Sequence, residues 1–207
     1  MDLTSVISFL GAAVLLTLMP GPDNLFVLAQ SIAQDKKAGI ATALGLCSGL
    51  IAHITAAAIG ISAIVYQSAV AFAIVKYAGA AYLLYLACQS FRAGGGSFDL
   101  KARRALDYPS LYKRGVIMNL LNPKVSLFFL ALFPQFIDYS AGSISLQMIG
   151  YGFLFIIQAL VIFSLISVFA GEIGRFLNRS PAMSRKLNVL QGALFTLIGI
   201  SIAFGEK

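Results

Sequence analysis

Charge is scarce in this chain: only 11% of its 207 residues are Asp, Glu, Lys or Arg, while 59% are hydrophobic. A soluble domain carries about a quarter charged and about half apolar residues, so a soluble globular fold is excluded. Cysteine is nearly absent too. Cys47 and Cys88 both fall inside apolar runs, with no Cys-x-x-Cys spacing, so neither a disulfide framework nor a dithiol centre is expected. Histidine occurs once, as His53, and no His/Cys/Glu cluster proposes zinc or iron. There is no Gly-rich phosphate loop of Walker type and no nucleophile–base constellation. Neither ATP drive nor an enzyme is expected, and no cofactor. The period-2 alternation of a membrane β-barrel is also missing.

What remains is apolar length. Runs at residues 3–33, 39–66, 69–91, 115–137, 147–171 and 187–204 are each long enough to cross a bilayer core about 30 Å thick. The sequence therefore predicts an all-α membrane protein with six transmembrane helices in a single domain. The first run does not read as a cleaved leader, because Asp2 stands where a basic segment belongs and Pro20-Gly21-Pro22 follows instead of a cleavage site.

The net charge of +7 does not point to nucleic acid. Twelve of the fifteen basic residues lie in three connections. These are Lys36 and Lys37; Arg92, Lys101, Arg103, Arg104, Lys113 and Arg114; and Arg175, Arg179, Arg185 and Lys186. The positive-inside rule puts those connections in the cytoplasm, next to anionic lipid, and both termini on the outer side of the inner membrane. The longest connection, residues 92–114, contains Gly94-Gly95-Gly96 and divides the chain into halves 1–91 and 115–207. Three spans per half means that similar halves would be inverted relative to each other, a common carrier architecture.

Three prolines interrupt the first helix of each half: Pro20 and Pro22 in span one, Pro123 in span four. Each removes a backbone donor and frees carbonyls, which hydrocarbon tolerates only against protein or a wet cavity. Residues 3–34 as one straight helix would measure roughly 48 Å, so a bend there is also geometrically convenient. Polar residues flank both breaks at similar depth: Asp23 and Asn24 beside the Pro20-Gly21-Pro22 break, Asn119, Asn122 and Lys124 beside Pro123. Paired interruptions in two halves are the best sequence pointer to a transporter site.

Pro20-Gly21-Pro22-Asp23-Asn24 and Asn119-Leu120-Leu121-Asn122-Pro123-Lys124 resemble the two signatures of the LysE/RhtB amino-acid exporter family. Ala78-Gly79-Ala80-Ala81-Tyr82-Leu83-Leu84-Tyr85-Leu86 and Phe133-Pro134-Gln135-Phe136 match as well, in the family's order. Cys88-Gln89 departs from it, standing where the family usually has glycine. The resemblance implies export of amino acids or related small amines, driven by the proton gradient.

Asp23 and Lys124 are opposite charges within apolar spans, expensive unless satisfied. They are expected to pair in the empty carrier and to be separated by a zwitterion, its ammonium on Asp23 and its carboxylate on Lys124. Asn24, Asn119 and Asn122 would orient it. Other roles are open: Asp23 and Asn122 as helix caps, Lys124 snorkelling to the interface. His53 could relay protons or simply pack by a hydrogen bond to a neighbouring helix. A single acid in the site favours neutral substrates of threonine or homoserine type over lysine or arginine. A metal-cation exporter and a thiol–disulfide electron carrier of similar fold are the alternatives. Gly45 and Gly49 form a small-residue spacing for close helix approach, within the monomer or in a homodimer.

Overall fold

The computed structural model describes residues 2–19, 21–67, 69–92, 106–178 and 181–204. Pro20, the glycines of the long connection, Arg179 and Lys207 lie outside the described residues. The described chain is helical throughout: α1 (Leu3–Leu18), α2 (Pro22–Ala33), α3 (Lys36–Gln67), α4 (Ala69–Arg92), α5 (Tyr108–Leu120), α6 (Pro123–Leu127), α7 (Ile144–Val168), α8 (Ala170–Asn178) and α9 (Pro181–Phe204). A π turn, Phe128–Leu132, and a 3₁₀ turn, Phe133–Phe136, continue α6. Pro134 has no N–H for the carbonyl four residues back, and the helix widens just before it.

Among the described residues two stretches are long and apolar enough to cross a membrane singly, Lys36–Gly60 and Ile144–Val168. Two bent pairs bring the number to four. α1 and α2 meet at 56°, and α5 meets α6 with its extension at 47°. Both bends fall where the sequence placed its interruptions. The apolar stretch of α9, Asn188–Phe204, is shorter.

α3 is the central element, packed along α5, α7 and α2, while α4 lies on α9. Lipid tails are as apolar as leucine, so membrane helices hold together by close packing rather than by hydrophobic burial. The α3–α5 contact is built that way. A Cβ added at Gly45 would collide with the main chain of Tyr112, and one at Gly49 would come within 2.8 Å of Asn119 Cβ. One at Gly115, on the α5 side, would sit 2.9 Å from the Leu46 nitrogen. The small-residue spacing at 45 and 49 is thus used within the chain. Phe9 of α1 lies at the middle of an aromatic cluster with the buried Phe128, Phe133, Tyr151 and Phe155 and the partly buried Phe136. Its ring centroid is 4.7 Å from that of Tyr151. Outside, large apolar side chains such as Ile7, Ile59, Leu146 and Phe153 are exposed, as a lipid-facing surface requires.

Candidate functional site at the meeting of two broken helices

The two breaks are built alike. Gly21 is the N-cap of α2 and Asn122 the N-cap of α6; Pro22 and Pro123 each follow at the first helical position. Proline is favoured there, because its missing N–H would have had no intrahelical partner. The prolines therefore begin the second half-helices as much as they end the first. Asp23 and Lys124 consequently occupy the same position, the second residue of each half-helix. One break presents an anion where the other presents a cation.

Lys124 is buried at the positive end of α6, where a cation is disfavoured. The negative end of α1 compensates. The Lys124 ammonium donates to the carbonyl oxygens of Leu16 at 3.2 Å and Met19 at 3.4 Å, which the end of α1 leaves without helical partners. Asn24 Nδ2 donates to the carbonyls of Thr17 at 2.8 Å and Met19 at 3.1 Å. Gly21 makes room for this, since a Cβ there would approach Lys124 Nζ to 3.2 Å.

The other break is capped from the opposite half. His53 of α3 bonds through Nε2 to the carbonyl oxygen of Asn119 at 3.0 Å, and its ring stacks on Phe129 with centroids 6.0 Å apart. A carbonyl only accepts, so this nitrogen carries the proton. A side chain of the other half thus reaches carbonyls at each break: Lys124 on α1, and on α5 His53, which shares the Asn119 carbonyl with the Asn122 N–H at 3.0 Å. The geometry of His53 is that of a packed, hydrogen-bonding histidine.

Asp23 and Lys124 line the same cavity, but the expected ion pair between them is not formed. The one ion pair among the described residues is the exposed Arg175–Glu172 contact. Lys124 has turned to the α1 carbonyls, because the end of a broken helix is itself a partner for a cation. Asp23, only 3% exposed, accepts one long bond on Oδ2, from Asn119 Nδ2 at 3.4 Å, and its Oδ1 has no partner. It does not cap its helix, whose N-cap Gly21 has no side chain to do so. Asn122 does cap, its Oδ1 accepting from the Lys124 N–H at 3.0 Å, while its Nδ2 is left over. Asn119 Oδ1 is also without a partner. Buried polar atoms without partners are rare in native proteins, and three of them gather on five neighbouring side chains here.

The cavity is small, about 20 Å³, room for about one water molecule. It is lined by the polar side chains Thr17, Asp23, Asn24, Asn119 and Lys124 together with Leu16, Leu50, Val125, Phe155, Ala159 and Phe163. Sequence reasoning had not singled out the α7 residues Phe155, Ala159 and Phe163. Their signal was a helical one, a small residue between two bulky ones at spacings of four. Cys47 is buried on α3 and Cys88 exposed on α4; both are free thiols and neither lines this cavity. No group of three His, Cys, Asp or Glu side chains comes together among the described residues.

Comparison with known proteins places this geometry in a family. The family profile described as LysE type translocator matches residues 14–205. An uncharacterized membrane protein of Vibrio cholerae serotype O1 is 33% identical over 204 residues, covering 98% of both chains. A homoserine/homoserine lactone efflux protein of Salmonella typhimurium is 33% identical over 95% of this chain and 94% of its own. A leucine efflux protein of Salmonella choleraesuis is 36% identical over 65% of this chain and 64% of its own. No solved structure matches. Broken helices, intramembrane charges and near full-length similarity lead to one conclusion: the chain belongs to the LysE type translocator family, whose members are membrane transporters rather than enzymes.

Proposed function

We propose that the chain exports neutral amino acids from the cytoplasm across the inner membrane, in exchange with protons. The observation that carries this is the complementarity of the unused groups in the cavity. Asp23 Oδ1 and Asn119 Oδ1 are free acceptors, fitted to a substrate ammonium. An ammonium has three donors, and the α1 carbonyls take two from Lys124, which leaves one for a substrate carboxylate. An α-amino acid brings both charges on groups attached to one carbon. A lysine or arginine side chain would bring a further cation, and among the described residues Asp23 is the only carboxylate lining the cavity. The relatives named for efflux of homoserine and of leucine support the substrate class.

The carrier is proposed to have six spans in two inverted halves, with α4 and α8–α9 completing the set. The helix pairings support this. Exchanging spans one, two and three with four, five and six maps the α3–α7 and α4–α9 contacts onto themselves and exchanges α3–α5 with the contact of α7 on α1 and α2. With the basic connections inside, the aromatic cluster around Phe9 lies on the outer side of the cavity, so this conformation is closed to the outside.

Cells expressing the protein and loaded with labelled neutral amino acids test the proposal. Export should exceed that of vector controls, fall with an uncoupler, and vanish in Asp23→Asn. Equal export from expressing and control cells would refute it. The orientation has its own test: in a background lacking Cys47 and Cys88, a cysteine in the 92–114 connection should resist impermeant reagent in intact cells, and labelling there would reverse the topology.

A further inference from the structure

Five buried side-chain polar atoms among the described residues have no hydrogen-bond partner, and three of them belong to the site above. The other two are both on α7: the Tyr151 hydroxyl and Gln158 Oε1. Seven residues apart, they share one helix face at a separation of about 10 Å along the axis. That face lies against α1. The Phe9 ring rests on Tyr151 with centroids 4.7 Å apart, and the Thr17 hydroxyl accepts from Gln158 Nε2 at 3.0 Å. Thr17 also lines the cavity, so the seam between α1 and α7 runs from the site to the aromatic cluster. Ser5, one turn before Phe9, lies near the Tyr151 hydroxyl without bonding to it.

A cavity with room for about one water admits no amino acid, so helices must part for a substrate to leave. The α3–α5 contact is locked by main chain against glycine, whereas the α1–α7 seam is closed by side chains that can turn. In a seam that stays dry, an unpartnered buried oxygen is a standing cost that phenylalanine or methionine would avoid. In a seam that water enters, both oxygens gain partners. We propose that the α1–α7 seam is the outward release path, with Phe9 as its plug and Tyr151 and Gln158 as the polar groups that line it once α1 moves off α7. The proposal rests on the export reading and supplies its route. The rings around Phe9 hold the seam shut, and hydration of the two oxygens favours opening. Satisfying one such group shifts an equilibrium by roughly 5- to 150-fold. In the open seam both oxygens accept from a passing ammonium, which spares it a crossing of bare hydrocarbon.

Ala13 is fully buried on α1, between Phe9 and Thr17 at spacings of four, and a cysteine there reports on the seam. Full-length Ala13→Cys protein lacking Cys47 and Cys88 is treated in intact cells with an impermeant thiol reagent. Labelling should be slow, about tenfold faster with Phe9→Ala, and at least about fivefold slower with Tyr151→Phe. Phe9→Leu replaces Phe9→Ala if the latter does not fold, and should also speed labelling. Tyr151→Phe and Gln158→Met should each lower export per molecule at least about fivefold at normal membrane abundance, which loss of a merely structural contact would not do. Labelling indifferent to Phe9 and Tyr151, or confined to the cytoplasmic face in inverted vesicles, would overturn the path and leave the export reading standing. Labelling requires no substrate, so the expected labelling pattern in a protein that exports no amino acid would overturn the export reading and support the seam.

Discussion

Replacing Asp23 by asparagine separates function from stability, because the two should move in opposite directions. The side chain is 3% exposed, its Oδ1 has no partner, and its Oδ2 accepts a single bond of 3.4 Å, beyond the usual range. A buried polar atom without a partner costs about 1–3 kcal/mol, and more when charged. The isosteric amide removes the charge and keeps the shape. Asp23→Asn should therefore be as stable as the native protein or more so, by up to about 3 kcal/mol. Transport should behave otherwise. Removing one member of a desolvated charge pair costs about 2–5 kcal/mol, which is roughly a 30-fold to several-thousand-fold loss at 1.4 kcal/mol per decade. Membrane abundance, thermal unfolding in detergent, and export per molecule give the three numbers needed. A lower unfolding temperature with export per molecule near normal would refute the reasoning, since Asp23 would then be a structural group.

Lys124→Met takes the charged donor from the Leu16 and Met19 carbonyls and should cost about 1–3 kcal/mol in detergent unfolding, along with export. Adding Asp23→Asn to it should not restore abundance, because the two groups do not pair directly; recovery in the double variant would mean that they do. His53→Gln keeps a donor for the Asn119 carbonyl but cannot titrate, so export should stay within about threefold of normal, roughly 0.6 kcal/mol. Loss of export at normal abundance would instead assign proton transfer to His53. Gly45→Val forces a side chain into the Tyr112 main chain and should destabilise by about 1–3 kcal/mol or more, seen as reduced membrane abundance; normal abundance would show that α3 and α5 are not so closely apposed.

The breaks and their charged flanks were legible because they violate a local rule. A proline beside an ionisable residue in an apolar run is costly wherever it folds, so Pro22–Asp23 and Pro123–Lys124 stood out without any knowledge of tertiary contacts. The same local reading misjudged where Lys124 goes. It matched side chain with side chain, whereas the end of α1, two turns of chain away from Asp23, offers bare carbonyls that no residue name advertises. Gly45 and Gly49 announced close packing, but their partners Tyr112 and Asn119 lie more than sixty positions on and only the fold identifies them. Phe155, Ala159 and Phe163 were least legible. In a helix that is apolar all round, the face turned to a cavity has the same composition as the face turned to lipid.

The central claim is that this chain carries neutral amino acids through the cavity shared by Asp23 and Lys124, coupled to protons. The most direct measurement uses proteoliposomes of the purified protein, loaded with labelled valine, under an imposed proton gradient that can be collapsed with an ionophore. The account predicts valine release accelerated by the gradient, abolished by the ionophore's collapse of it, and absent in Asp23→Asn protein that remains folded. Release that ignores the gradient and persists in Asp23→Asn would contradict it.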